Sequence, residues 1–433
     1  MRSNRSAFFS ASRMTVRAVA AGLAVFALAL APSPVPAWGG SVSPHVAPEV
    51  FRQWAATASA TIQTDARRPA PEPLIWQSFV SAAMYNAVVG IQGQYAPYRW
   101  NVRGPRSASP AAAAAAAAHR VLLTYFPASA PRLEAAYTAS LAKIPDGRAK
   151  DEGVAFGKRA ADRMVSSRKE DGRFAPVEFT IPPATGVWRP TPTTHQPFSS
   201  AWMGRLKPLL IASPDQFRPS GPPALTSARY TEDLAEVRAL GAKTGSDRSP
   251  AQTETARFFT GDLHIQDSLC DYAARHHFTI AETARLLAAT STAQADALIT
   301  AWDSKLYYGS WRPVTAIRLA DTDGNTETDP DPEWLPLFNT PAHPDYLSGH
   351  TTHGGALMRI LTGLLGTSRV DLYISSQATN STRYYEHADQ YTRDVINARV
   401  WAGVHFRSAD TAGNRTGQRL AAWALTHYFQ PVH

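Results

Sequence analysis

The chain has 433 residues, a length that alone allows two or three domains, and 43 Lys and Arg stand against 35 Asp and Glu for a formal charge of +8. The basic residues are scattered rather than clustered, which excludes a nucleic-acid footprint. A lone cysteine, Cys270, excludes a disulfide within the chain, and a chain of this size buries a core large enough to fold without one.

Residues 1–37 have the pattern of a secretory signal peptide. Arg2, Arg5, Arg13 and Arg17 precede an apolar run at 18–31, too short to span a bilayer comfortably. Val35-Pro36-Ala37 is then a small-x-small cleavage pattern before Trp38. An uncleaved anchor is the alternative. Loss of the leader removes four arginines and lowers the formal charge to +4. No later apolar run is long enough to cross a membrane, so the expected location is secreted, periplasmic or extracellular, with no membrane partner.

Helical periodicity dominates the chain beyond the leader. Residues 48–64 and 73–91 carry apolar side chains at three-to-four spacing. The alanine run 111–118 leads into His119-Arg120-Val121-Leu122-Leu123 and predicts helix, because alanine is the best helix former. Residues 133–143, 152–167 and 228–240 share the pattern. Residues 176–223 hold 11 of the 33 prolines and no clean period, which predicts a long irregular belt wrapped on the helical body and bordering the mouth of a site. Its Trp188, Phe198, Trp202 and Phe217 argue for packing rather than a linker. Helices return after Gly261, and Thr279-Ile280-Ala281-Glu282 is a capping-box pattern before a run to about Tyr308. No set of alternating strands and no internal repeat stands out. The expected fold is all-α, a helical bundle. An N-terminal helical region at 38–226, with the belt, packs as one body with a C-terminal helical region at 227–433. Cys270, in an apolar-periodic segment, is expected to be a buried inert thiol.

Three clusters carry chemistry. Lys305 is followed seven residues later by Arg312-Pro313, so on one helix both cations fall within about 20° of one face. Pro313 then ends or kinks that helix. Ser348-Gly349-His350 precedes a helical run at 356–365. A hydroxyl, a bare amide and an imidazole at a helix N-terminus suit an anion, although Ser348 is also a candidate for a plain N-cap. Arg399 and His405 are six apart, which is not one face, but arginine is long enough to reach around.

In this order and spacing, Lys305, Arg312-Pro313, Ser348-Gly349-His350, Arg399, His405 and Asp410 resemble the signature of the superfamily of type 2 phosphatidic acid phosphatases and vanadium-dependent haloperoxidases. Trp188-Arg189-Pro190 and the aromatic stretch 76–85 resemble its longer bacterial haloperoxidase-like members. Three positions depart from the pattern. Leu347 stands where the family usually has proline, Ala398 where it has serine, and Asp410 is five residues after His405 where the phosphatase form has four, which makes Asp410 a poor candidate to orient His405.

The resemblance implies an all-α fold and a cage for a tetrahedral or trigonal-bipyramidal oxyanion. Lys305, Arg312 and Arg399 neutralise its oxygens, and Ser348 and the Gly349 amide complete it. His405 bonds axially to the central atom and His350 is the acid–base group. With vanadate as cofactor and His405 as its ligand, hydrogen peroxide oxidises halide to hypohalous acid, which attacks an organic acceptor. With no metal and a phosphomonoester, His405 is the nucleophile and forms a phosphohistidine. A non-catalytic oxyanion-binding protein is the third alternative. Trp302 matches a tryptophan near the halide pocket of chloride-oxidising members. His343 stands where bromide-oxidising relatives have histidine, which favours bromide. His353, one helical turn from His350, is a candidate to tune it or to contact substrate. The acidic loop 321–329 has its glycine at position four rather than the six a calcium loop needs, so calcium is not expected. Aromatic-rich N-terminal helices are a candidate homodimer face.

Overall fold

Helix formation in this chain is carried by small residues packed close together. The computed structural model describes residues 47–432, so the leader lies outside the described residues. The first helices are α1 (Ala47–Ser59), which runs on into a π-helical segment Ala60–Asp65, α2 (Pro73–Gln92), α3 (Pro110–Tyr125), α4 (Ala130–Ala142) and α5 (Arg148–Ser167). Every alanine of the run 111–118 is buried in α3, which packs against α2 and α5. Side chains of one carbon let the helix axes approach, and Ser109 caps the run by accepting from Ala112 N. By length and composition α2 could cross a membrane, which corrects the expectation that no run after the leader could. In the fold 89% of that stretch is buried inside the protein. Its aromatics belong to the core, so α2 does not supply the dimer face suggested by the sequence.

The belt is irregular as expected, apart from a short 3₁₀ turn at Ala201–Arg205. Helices α6 (Ala228–Gly241), α7 (Pro250–Phe258) and α8 (Ile265–Arg275) then lead to α9 (Ile280–Tyr308), the central helix of the molecule. The capping box at Thr279 and Glu282 forms, and Cys270 on α8 is fully buried with its thiol pushed up to about 12 by burial. α9 is buried on nearly all sides and packs on α2, α11 (Gly349–Leu365) and α13 (Arg407–His427). Its buried Asp296 accepts hydrogen bonds from the backbone N–H groups of Leu209, Leu210 and Ile211 at 2.7, 2.7 and 2.9 Å, which ties the belt to the core.

Two features differ from the sequence reading. Between α11 and α12 (Ala388–Trp401) lies an antiparallel hairpin, β1 (Arg369–Ser376) with β2 (Ser381–His387). Val370, Leu372 and Ile374 alternate onto its buried face. The second difference is at the end of α9. Gly309 takes a left-handed conformation, φ 55°, and donates to Lys305 O, which stops the helix before Pro313 is reached. Arg312 is extended, φ −87° and ψ 156°, and occupies the N-cap position of the short helix α10 (Pro313–Arg318) without a side-chain cap. Lys305 and Arg312 are therefore not on one helix face.

α11 and α13 cross at contact distance. A Cβ on Gly413 would meet Thr351 Oγ1 at 2.6 Å and Thr352 Oγ1 at 2.7 Å, and one on Gly417 would collide with the Thr352 carbonyl. This crossing fixes the start of α11, and hence His350, against the chain that follows His405. The described residues form one compact unit.

Candidate active site

The end of α9, the start of α11, the end of α12 and the loop 339–348 converge on one buried cluster. Lys305 and Arg312 are fully buried and Arg399 is 4% exposed. Lys305 Nζ donates to the carbonyls of Pro344 (2.6 Å) and Asp345 (2.9 Å), which leaves one of its three N–H groups uncommitted. Arg312 turns back from its extended segment. Its Nε donates to His343 O at 2.7 Å and its Nη1 to Val404 O at 2.6 Å. So the two cations meet through the loop that both grip, not through helical periodicity. Arg399, on α12, makes only a long contact to Phe259 O, 3.4 Å, and its buried Nε has no hydrogen-bond partner among the described residues.

His405 is held from two sides. Its Nδ1 is 2.7 Å from Asp345 Oδ1 and its Nε2 is 3.1 Å from Arg312 Nη1. Arg312 Nη1 is also 3.3 Å from Nδ1 and so does not choose the tautomer; an ionised Asp345 only accepts, which places the proton on Nδ1 and leaves the lone pair on Nε2. Burial, then Arg312, Lys305 and Arg399, hold His405 well below the usual histidine range, which keeps it neutral at pH 7. Burial pushes the Asp345 carboxyl up to about 7, against the pull of Arg312 and Lys305.

Sequence reasoning missed Asp345, whose only signal there is its place three residues before Ser348. Asp410, doubtful on spacing, does not contact His405. It is buried beside Ser348, and neither the carboxylate nor the hydroxyl makes a well-formed hydrogen bond. Ser348 is in the N-cap position of α11, but its side chain caps nothing. The helix begins at Gly349, earlier than the run from 356 suggested.

His350 and His353 lie on the first turns of α11, ring centroids 5.8 Å apart. Gln294 Nε2 approaches His353 Nδ1 at 3.3 Å, and burial with Arg399 holds His353 down to about 4. His350 is held well below its usual range by burial first, then by Arg399, His353, Arg312 and Lys305. With the cations uncompensated it is a neutral base. An anion in the cage weakens that repulsion and restores its capacity to hold a proton.

Trp302 and His343 pack together at 4.8 Å between ring centroids. Trp302 donates to Ser199 O at 3.2 Å, and His343 Nδ1 accepts from Arg312 Nη2 at 2.9 Å. The same Nδ1 is 3.2 Å from Pro344 O, which only accepts, so the two contacts favour opposite tautomers. Trp302, His343, Gly349, His350, His353 and His405 share one cavity of about 440 Å³. The belt, expected at the mouth of the site, does not line this cavity. Its Ser199 and Phe198 instead back Trp302 and His343.

Residues 285–433 match the family model described as the second helical-bundle domain of vanadium chloroperoxidase. Over 174 residues, 29% of the chain, the sequence is 35% identical to vanadium chloroperoxidase of Curvularia inaequalis, and the match spans 28% of that enzyme's length. The sequence likeness to vanadium haloperoxidases is thus carried by the C-terminal third of the chain, which holds every residue of the cluster. The fold is also similar to a bacterial vanadium-dependent iodoperoxidase, with TM-score 0.72, 22% identity, 88% of this chain and 97% of that one covered. It is similar as well to a bacterial vanadium-dependent chloroperoxidase, with TM-score 0.66, 19% identity, 82% of this chain and 92% of that one covered.

The donor set of the cluster fits a tetrahedral oxyanion. Three buried cations face two carboxylates, and Ser348 Oγ, Arg399 Nε and both carboxylate oxygens of Asp410 have no hydrogen-bond partner among the described residues. The serine hydroxyl and the arginine N–H are donors that are costly to leave unpaired, and a bound oxyanion satisfies them. The acidic loop turns inward on itself, since Asp323 accepts from Asn325 N and from the Thr328 hydroxyl.

Proposed function

We propose that this protein is a vanadate-dependent haloperoxidase-like oxidoreductase that uses hydrogen peroxide to oxidise halide, bromide ahead of chloride, to hypohalous acid. The observation that carries the reading is the Trp302–His343 pair in the same cavity as His350 and His405. The reading seats the halide in this cavity, against the Trp302 indole and the His343 imidazole and beside the cage, a seat that a phosphoester hydrolase does not need.

Lys305, Arg312 and Arg399 would hold vanadate by charge, Ser348 and the Gly349 amide would complete the hydrogen bonds, and the His405 Nε2 lone pair would be its nitrogen ligand. Bound vanadate supplies the Lewis acidity that activates peroxide; overall, hydrogen peroxide, a halide ion and a proton become hypohalous acid and water. His350, neutral at the cavity wall, takes the peroxide proton. Asp345 fixes the His405 ring and tautomer so that Nε2 keeps its lone pair.

The second reading is a phosphatase. The same Nε2 lone pair is a competent nucleophile towards a phosphomonoester, and His350 then protonates the leaving alcohol. Loading the protein with orthovanadate and following peroxide- and bromide-dependent bromination of a dye separates the two, with nitrophenyl phosphate offered to the vanadate-free protein. Bromination lost in His405→Ala supports the first reading. Phosphate release without bromination establishes the second, and vanadate binding without either turnover leaves an oxyanion-binding protein. Export by the leader at residues 1–37 belongs to the same proposal, and N-terminal sequencing of protein from the culture medium checks it.

A further inference from the structure

The cavity does not end at the cage. Its other walls come from two segments far apart in sequence, residues 55–77 and 261–267, joined by a 3.1 Å hydrogen bond from Gln63 Nε2 to Asp262 Oδ2. Ile62, Pro71, Leu74, Leu263, Ile265 and Leu298 give it apolar sides. At about 440 Å³ it is far larger than a halide or peroxide needs and lies in the range of organic-ligand sites.

One wall carries a cation with no counter-ion among the described residues. Arg68 lines the cavity, and its guanidinium lies 4.9 Å from the Phe174 ring centroid and 5.6 Å from that of Trp76. The two rings are themselves stacked, 6.1 Å apart. The aromatic contacts hold the guanidinium in place, but no described carboxylate pairs with it and its buried Nε has no hydrogen-bond acceptor there. Of the two acidic groups of the cavity, Asp262 is engaged, and Asp267 stands beside His264. Asp262 accepts from Gln63 and from His264 N, and His264 Nδ1 stands 3.5 and 3.9 Å from Asp262 and Asp267.

We infer that the cavity above the cage binds the organic acceptor directly, and that Arg68 selects acceptors with a carboxylate beside an aromatic or aliphatic body. The inference rests on the proposed function only for what happens to that acceptor: hypohalous acid formed at the cage replaces one C–H hydrogen of the seated molecule with halogen, and the hydrogen leaves with the hydroxyl as water. Binding itself needs neither halide nor peroxide. The apolar body fills the space between Leu74, Leu263 and Leu298, and the carboxylate takes a charge-assisted, bidentate bond from Arg68.

The test is a binding titration of the full chain with saturating orthovanadate in the cage, using 2-naphthoate, its neutral amide and 2-naphthylmethylammonium as probes. The expected result is that naphthoate binds at least about tenfold more tightly than the amide and that the ammonium is rejected. Arg68→Gln should remove the preference for naphthoate and leave amide binding unchanged; Phe174→Ala, which loosens the guanidinium, should reduce it in part. Unchanged circular dichroism and unchanged vanadate affinity show that each variant is folded. Naphthoate binding that is indifferent to Arg68, or that vanadate displaces competitively, overturns the inference, because the probe then sits in the cage. Arg68-dependent binding in a protein that shows no bromination leaves the site standing and sinks the halide-oxidation reading instead.

Discussion

His405 Nδ1 stands 2.7 Å from Asp345 Oδ1, and both groups are buried. On the proposed function, this contact lets a carboxylate outside the cage decide which nitrogen of the imidazole is free for the oxyanion. Asp345→Asn keeps the volume but lets an amide N–H face Nδ1, which favours the tautomer with its proton on Nε2. Affinity for orthovanadate should fall about 10- to 100-fold, measured by calorimetric titration. Removing a carboxylate also makes the cage more positive, so a simple charge account predicts tighter binding. An affinity that is unchanged or improved would refute the orienting role.

Ser348 occupies an N-cap position without acting as one. A working cap contributes about 1 kcal/mol. Ser348→Ala should therefore change the thermal midpoint of the vanadate-free protein very little, while the extra stabilisation that vanadate confers should shrink. Two thermal melts per variant, with and without vanadate, suffice. A large loss of stability in the vanadate-free protein would mean the hydroxyl serves the helix after all.

Burial, and Arg312 after it, hold Lys305 well below the ordinary lysine range. The folded, anion-free protein thus binds this proton more weakly than the unfolded chain does. The contribution of Lys305 to stability accordingly rises with pH between its depressed value and the ordinary 10.5 of a lysine in the unfolded chain. A dianion in the cage raises the pKa again, so binding takes up a proton within that window. Calorimetry in buffers of different ionisation enthalpy should show this uptake on the alkaline side and lose it in Lys305→Met. Proton release on binding would contradict the sign.

Asp296 is buried at mid-α9 and satisfies three N–H groups of the belt. Asp296→Ala orphans all three, at about 1–3 kcal/mol each before relaxation, so an overall loss on the order of 3–5 kcal/mol is expected. Denaturant unfolding should show a lower midpoint. A change within about 0.5 kcal/mol would mean that water replaces the carboxylate without cost.

The helices are legible in the sequence because their periodicity, caps and alanine run are local signals, and α9 begins at its capping box. The end of α9 is not. Seven-residue spacing places Lys305 and Arg312 on one face, but Gly309 stops the helix between them. They converge because His343, Pro344 and Asp345 offer carbonyls to both. The hairpin escapes notice although Val370, Leu372 and Ile374 alternate in plain view; its polar second strand, 381–387, carries little apolar signal. Asp345 cannot be found by spacing, since its partner is 60 residues away. The same is true of Arg68, whose surroundings come from Trp76 and from Phe174 in a distant loop.

The crossing of α11 and α13 divides the site into parts with unequal freedom to change. Gly417 meets the backbone of Thr352 and Ala356, and Gly413 meets the Thr351 and Thr352 hydroxyls and the Ser348 carbonyl, so the elements touch with no room for a larger residue at either glycine. Protein engineering aimed at the floor, at His350 and its neighbours, works against main-chain contact and will mostly yield misfolded protein. The walls from 55–77 and 261–267 are held by side chains such as Gln63 and can be re-cut. A library confined to those two segments should therefore alter which acceptor is used while leaving the chemistry of the cage as it is.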